Sequence, residues 1–315
     1  MLTSSSRARA HSIEHQPMPA KFLSSYLAIL CLLASATMWG LIWYPLRLLE
    51  QVGMPGVWST LVMYTASMLM GLALSVGVWR EFMRRPGWLL LIALTSGWTN
   101  VAFVLAVLDG NIVRVLLLFY LSPLWAVLFA CWLLQEKISS GFWGVIALAM
   151  FGALVMLWAP DLGYPWPRSG PDWLAISSGF AFALSNVFIR RVQDVSVRVK
   201  TSASWVGVVL VALIIIAAWQ EPIPQVAASG WWGALALGIG GTFVMTLAVQ
   251  YGVTHMPVHR SAVILLFELV AGAVSSQLLT DEQVLPREWA GGFLIIVAAY
   301  LAARTQVNAD AETKA

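Results

Sequence analysis

The stretch Asn111–Trp143, NIVRVLLLFYLSPLWAVLFACWLLQEKISSGFW, recurs in outline later in the same chain. An offset of 146 residues carries Arg114 onto Arg260, Leu133 onto Leu279, Glu136 onto Glu282 and Trp143 onto Trp289. Each copy reads as a basic residue, a long apolar run, an acidic turn and a second apolar run opened by tryptophan. That pattern is helix, short turn, helix. Identities beyond the anchors are few, Leu148 on Leu294 and Ala153 on Ala299, so the spacing carries the repeat more than the similarity does.

Outward from this stretch the chain is strongly apolar. Hydrophobic residues make up 60%, charged residues only 10%, and the mean hydropathy is +0.80, whereas soluble domains carry about 25% charged residues. The chain reads as an integral membrane protein. Uncharged runs extend over 22–46, 57–79, 88–108, 115–135 and 138–160, then 173–189, 201–220, 222–254, 261–280 (interrupted by Glu268) and 289–303. About 20 residues at about 1.5 Å per residue cross the hydrocarbon. In the run 222–254 the early prolines and Gly230 make a loop, and the helix begins near Trp231. The expectation is therefore all-α, with ten transmembrane helices: 1 (23–46), 2 (57–79), 3 (88–108), 4 (115–135), 5 (138–160), 6 (173–191), 7 (201–219), 8 (231–252), 9 (259–280) and 10 (288–304).

Charge gives the orientation. Alternating the loops of ten spans puts Arg7, Arg9, Lys21, Arg80, Arg84, Arg85, Lys137, Arg190, Arg191, Arg198, Lys200, Arg260, Arg304 and Lys314 on the side of both termini. Only Arg47, Arg114, Arg168 and Arg287 fall opposite. The positive-inside rule makes the termini cytosolic, as for a cell inner membrane, and explains the pI near 9.0 without nucleic acid. Five helices per half force the halves to run in opposite directions, an inverted repeat of the kind found in transporters. The expected segments are a tail (1–22), a first five-helix repeat (23–159), a Pro/Gly-rich linker PDLGYPWPRSGP (160–171), a second repeat (172–304) and a polar, disordered tail (305–315). Ala34-Ser35-Ala36 resembles a signal-peptidase site, but the apolar run continues past it to Leu46, too long for a signal core. Cys31 and Cys131 lie inside spans and read as packed thiols.

Glu268 is the one acidic residue well inside a span. A carboxylate there is costly unless protonated, paired or wetted, so it is a candidate for substrate binding or proton coupling; a protonated group bonded to a neighbouring helix is the bland alternative. Helix 3 aligns Ser96, Thr99, Asn100 and Phe103 on one face, and helix 8 aligns Thr242, Thr246 and Gln250. The offset of 146 superposes Thr242 on Ser96 and Thr246 on Asn100, so the two stripes are expected to face a shared interior. Ser185 and Asn186 in helix 6 join them, although each such residue could instead make an interhelical hydrogen bond worth about 0.6 kcal/mol. Trp39, Trp43, Trp98 and Tyr120 lie at depth, the first two and the tyrosine as cavity candidates. Trp79, Trp88, Trp158, Trp173, Trp219, Trp231 and Trp289 lie at span ends as interfacial anchors. Arg114 and Arg260 open related helices at opposite faces, as snorkelling anchors or as gates. His255 and His259 have the spacing of two helical ligands but no third donor, so no metal is expected.

At these residues the chain resembles a known family. Arg114 through Glu136 to Trp143 and their second copy, Trp39-Gly40, and Asn186 with Arg190-Arg191 look like the ten-helix EamA-type members of the drug/metabolite transporter superfamily. The resemblance covers about residues 25–304. In that family helices 4 and 9 often carry Glu-Pro; here helix 4 has Ser122-Pro123 and helix 9 has Glu268-Leu269, and Ile42 stands in helix 1 where Asn186 stands in helix 6. One carboxylate is left for proton work. The resemblance implies a secondary transporter, commonly an exporter of amino acids or small metabolites, with a central cavity between halves.

The expected activity is alternating-access transport of a small molecule, by a monomer or homodimer in the lipid bilayer, with protons as partners if Glu268 titrates. No cofactor is expected, and the absence of G-x-x-x-x-G-K-[ST] argues against ATP drive by this chain. A lipid or lipid-linked sugar flippase of the same fold is the alternative. An intramembrane enzyme is the rival class, but the adjacent acids Asp281-Glu282 lie in a loop and no H-E-x-x-H occurs.

Overall fold

The computed structural model describes residues 20–110, 112–158, 166–280 and 284–312. The N-terminal tail through residue 19, Asn111, linker residues 159–165, residues 281–283 and residues 313–315 lie outside the described residues. Every regular element among those described is helical. Among the described residues nine helices are long and apolar enough to cross a membrane. The tenth, Pro286–Glu312, packs along helix 5 and completes the second group of five.

The observed bounds are Ala20–Leu41 continued by Trp43–Gln51 for helix 1, Gly56–Leu74 for helix 2 and Pro86–Asp109 for helix 3. Helix 4 is Ile112–Phe119 plus Ser122–Leu133, and helix 5 is Ser140–Leu157. In the second half come Gly170–Arg191 (helix 6), Val197–Trp219 (helix 7), Ala228–His255 (helix 8) and Val258–Leu265 plus Phe267–Leu279 (helix 9).

Several bounds differ from the sequence expectation, each for a local reason. Helix 2 stops at Leu74, where Ser75 turns its hydroxyl back onto the Gly71 carbonyl at 2.7 Å; the chain continues as a 3-10 turn over Val76–Met83. Helix 7 begins at Val197, which draws Lys200 into its first turn. Helix 8 carries a π-turn over Leu237–Thr242, in a glycine-rich stretch that relaxes the ladder. Residues after Arg304, expected to be disordered, continue helix 10 to Glu312, because alanine, glutamine and glutamate there favour helix. Helix 1 breaks at Ile42, between Gly40 and Pro45. Pro45 has no N–H for the Leu41 carbonyl, and the Ile42 N–H takes the three-residue bond to Trp39.

The halves interlock instead of standing side by side. Helix 3 packs on helices 6 and 7, and helix 8 correspondingly packs on helices 1 and 2. Helix 4 lies on helix 6, and helix 9 on helix 1. Helices 2 and 7 meet each other, as do 5 and 10. Every one of these contacts maps onto itself or its partner when the halves are exchanged, as an inverted repeat requires. Close approach uses small residues. A Cβ on Gly152 would lie 2.9 Å from the Gly291 carbonyl, and one on Gly291 would lie 2.5 Å from the Gly152 carbonyl.

The apolar surface left outside is what lipid needs. Leu30, Leu69, Leu128, Phe151, Ile214, Phe293 and Tyr300 are exposed along the spans. At the span ends Trp79, Trp158, Trp173, Trp219 and Trp289 are exposed too, in the positions that interfacial indoles favour. Trp88 instead packs on Phe188, and Trp231 on Trp58.

Candidate functional site

The breaks in helices 4 and 9 coincide under the repeat. Phe119, the last residue before one break, falls on Leu265, the last before the other. In helix 4 Pro123 leaves the Phe119 carbonyl without its helical donor. In helix 9 the corresponding residue is Leu269, whose N–H bonds the Leu266 carbonyl at 3.1 Å, a tighter three-residue bond. Both helices are therefore interrupted at equivalent positions of the repeat.

A cavity sits between the two breaks. Its lining includes Phe119, Tyr120, Ser122, Pro123, Phe182, Asn186, Leu266 and Glu268. Water centres have access to about 20 Å³ of it, room for about one ordered water. On the side where helix 1 begins, here the N-side, Ser122–Leu133 packs against Val258–Leu265. Toward the opposite side Ile112–Phe119 goes to helix 6 and Phe267–Leu279 to helix 1. The path is thus closed on the N-side, and helices 4 and 9 separate beyond it.

Of the eleven residues expected to line a cavity, three meet here: Tyr120, Asn186 and Glu268. The Tyr120 hydroxyl lies against the Glu268 carboxyl. Asn186 is 4% exposed, and its Nδ2 has no protein hydrogen-bond partner. The remaining eight take other places. Ser185 shares a 2.8 Å bond with Ser96, and Ser96 donates to Ser204 at 3.0 Å. Gln250 Nε2 donates to the same Ser204 at 2.7 Å, while Gln250 Oε1 and Thr246 Oγ1 are buried without a protein partner. Asn100 Oδ1 accepts from Tyr64 at 2.6 Å, and its Nδ2 donates to the Ser96 carbonyl. Thr242 bonds Ser67 at 2.7 Å. Trp43 Nε1 donates to Ser275 at 2.9 Å, tying helix 1 to helix 9, and Trp39 packs against the apolar cluster that includes Tyr64, Trp205 and Phe243. The polar stripes on helices 3 and 8 are thus largely spent on joining helices. Trp98, expected at depth, is 39% exposed and donates to Ser177.

Arg114 and Arg260 stand at opposite ends, as their positions required. Arg114 Nε reaches both carboxylate oxygens of Asp172 at 2.9 and 3.0 Å, and its guanidinium also donates to the Trp166 carbonyl. That joins the first helix 4 turn to the start of helix 6. Arg260 lies over the Phe142 ring, 6.0 Å from its centroid.

A second cluster, at the N-side, has little local signal in the sequence. Gln135 adopts a left-handed backbone, φ 55°, which turns Glu136 back toward helix 9. There Glu136 Oε1 accepts the Val258 N–H at 3.1 Å, and Oε2 pairs with His259 Nδ1 at 2.6 Å. Burial alone pushes the Glu136 carboxyl up, but the His259 bond, the Val258 N–H and the charge on Arg190 outweigh it and hold it below its ordinary 4.5. Lys200 is fully buried and donates to the Ile189 and Val192 carbonyls and to Thr254 Oγ1. A cation there suits the negative end of helix 6. His255, by contrast, bonds its own helix at the Tyr251 carbonyl, so the two histidines do not converge. The clue to this cluster was Glu136 itself, which anchored the repeat but read only as a turn acid.

A family model for EamA-like transporters matches residues 26–158 and again 170–304, so each copy covers one group of five helices. The chain belongs to the EamA-like transporter family. An uncharacterized transporter of Pseudomonas aeruginosa is 30% identical over 145 residues. That match covers 42% of this chain and 47% of the relative, so the chain spans about half the length of the relative it matches. A solved crystal structure superposes with a TM-score of 0.68 over 91% of this chain and 97% of the other, at 19% identity; that likeness concerns the fold. The protein is a multi-pass membrane member of this family, built as two EamA-like units.

Proposed function

We propose that the protein is a secondary active transporter that exports amino acids or similar small metabolites across the cell inner membrane by alternating access, with the N-side facing the cytosol. One observation carries the reading: the cavity at the coincident breaks holds Glu268 together with an unsatisfied Asn186 amide. Among the described residues Glu268 is the only acidic side chain in the middle of a span. A carboxylate that far from water is costly without a ligand or a proton, and an amide donor with nothing to donate to is equally out of place. An α-amino acid answers both once the cavity widens beyond the single-water space of this conformation, its ammonium toward Glu268 and its carboxylate toward Asn186. The aromatic walls from Phe119, Tyr120 and Phe182 favour an apolar side chain.

Proton coupling follows from the same geometry. A proton on Glu268 competes with the substrate ammonium for the same oxygens, so that entry of one favours release of the other. This exchange is the mechanism proposed for antiport, and no other mid-span carboxylate among the described residues could serve it.

The test is uptake and efflux of a metabolite panel by the purified protein in sealed vesicles, with and without a pH gradient. Flux of amino acids that follows the gradient is the expected result. Gradient-independent movement of lipid, with no movement of soluble metabolites, would replace this reading with a flippase.

A further inference from the structure

Helices 6, 7 and 8 hold a file of buried polar groups on the N-side of the cavity that the closed path does not use. Thr246, Gln250 and Thr254 follow at four-residue intervals on helix 8, facing Ser204 and Lys200 of helix 7. Ser204 passes the chain to Ser96 and Ser185, next to Asn186 in the cavity wall. The file thus reaches from the cavity to the N-side ends of helices 6 and 8. Such a polar seam is expensive between helices that apolar side chains could pack equally well.

It is also incomplete. Asn186 Nδ2, Thr246 Oγ1 and Gln250 Oε1 are buried with no protein partner. Each has lost its water and received no bond in return, so each explanation of them needs solvent or solute at some stage. The Lys200 end is saturated by contrast, with three acceptors on one ammonium.

At the mouth of this seam stands Glu136 with His259. Glu136 leaves the end of helix 4 in the first half and holds the first turn of helix 9 in the second, by both the Val258 N–H and the His259 ring. The ring also sits edge-on to Phe142, 4.9 Å away, and Arg260 covers the same phenylalanine. Arg190 lies within the field of Glu136 and donates to the Thr254 carbonyl, which links the clasp to the end of helix 8. In the sequence Val113, not a histidine, stands where the offset of 146 would put the partner of His259.

We propose that the seam lined by Asn186, Ser204, Thr246 and Gln250 is the N-side arm of the solute pathway, and that the Glu136–His259 clasp keeps it shut in this conformation. The proposal rests on the transport reading above and adds the route and its closure. Release of the clasp lets Val258–Leu265 swing off Ser122–Leu133, and water then completes the three unsatisfied groups. The conformation closed on the N-side carries their cost, which biases the molecule toward opening once the clasp is broken.

The experiment is thiol labelling of the full chain in membrane vesicles with the N-side exposed. Cys31 and Cys131 are replaced by serine, Ser204→Cys is introduced, and a small charged thiol reagent is added. Labelling is expected to be slow in this background and at least about tenfold faster with Glu136→Gln or His259→Asn. Ala212→Cys, fully buried on helix 7 away from the seam, should stay protected in every variant; its labelling would mark a variant that fails to fold. The exchange Glu136→His with His259→Glu should restore slow labelling at position 204. An equal rate at position 204 with and without the clasp, in variants that keep Ala212→Cys protected, overturns the proposal. Labelling needs no substrate, so the two readings fail separately. Transport with position 204 protected throughout removes the arm alone, whereas opening without flux of any solute leaves the clasp and the wetted seam but removes the transport reading and with it the seam's role as a solute arm.

Discussion

Arg114 and Asp172 form an ion pair across the two halves in which a single Nε hydrogen lies between both carboxylate oxygens, at 2.9 and 3.0 Å. The side chains are 12% and 3% exposed. Asp172 also accepts the Arg168 N–H at 2.8 Å, so its charge is fully engaged at the start of helix 6.

Removing one partner should therefore hurt more than removing both. Arg114→Met leaves a buried carboxylate uncompensated and should cost about 3 kcal/mol of unfolding free energy, the scale for breaking a buried pair. Arg114→Met with Asp172→Leu should recover most of that loss. Denaturant unfolding in micelles decides it: a loss under about 1 kcal/mol for the single variant would mean the pair is screened as a surface pair is.

Gly207 and Gly144 make a matched comparison. A Cβ at Gly207 would lie 1.8 Å from the Ala93 carbonyl oxygen on helix 3, a backbone atom that cannot step aside. Gly207→Ala should force helices 3 and 7 apart and cost about 3 kcal/mol or more. At Gly144 nothing lies within 4 Å of the added carbon, so Gly144→Ala should gain up to about 1 kcal/mol from helix propensity. Thermal unfolding of the two variants should move in opposite directions, and a shift of the same sign would refute the close approach.

Glu268→Gln keeps the shape and hydrogen bonding of the cavity wall and removes its charge. Gradient-driven flux should fall to background while the folded protein is retained. Undiminished flux with an unchanged pH profile would mean that the carboxyl is a packing group.

Glu81 offers a pH test away from the pathway. Its carboxylate accepts the Ser196 N–H at 2.7 Å at the start of helix 7, and that bond is the main reason its pKa lies below the ordinary 4.5. A depressed carboxyl stabilises the fold above the unfolded value and loses that contribution as pH falls through the folded one. The stability difference between wild type and Glu81→Ala should hold from neutral pH to about the ordinary carboxylate range, then shrink on further acidification. A difference independent of pH down to full protonation would show that the charge plays no part.

The sequence made the architecture legible because a membrane allows few solutions. Long uncharged runs between basic loops can only be spans, and an odd number per repeat can only be inverted. Where it misled, a side chain had two equally physical uses. Asn100 and Thr242 lie on the faces their spacing predicted, yet bond Tyr64 and Ser67 on helix 2, and no single-helix periodicity reveals a partner on another helix. Lys200 read as one more basic loop residue because its helix was started four residues late. Glu136 and His259 are 123 positions apart, and nothing local to either announces the other.

Helix 4 is broken just ahead of Pro123, and helix 9 is broken at the equivalent position with Leu269 in that place. The two repeats thus share a break for which only one of them carries a proline. The neighbouring helices act as a mould, and a Pro123→Leu chain should still be cast into the broken shape. In such a protein the shape of the passage can outlast the residues that first made it, leaving the lining free to drift toward new cargo.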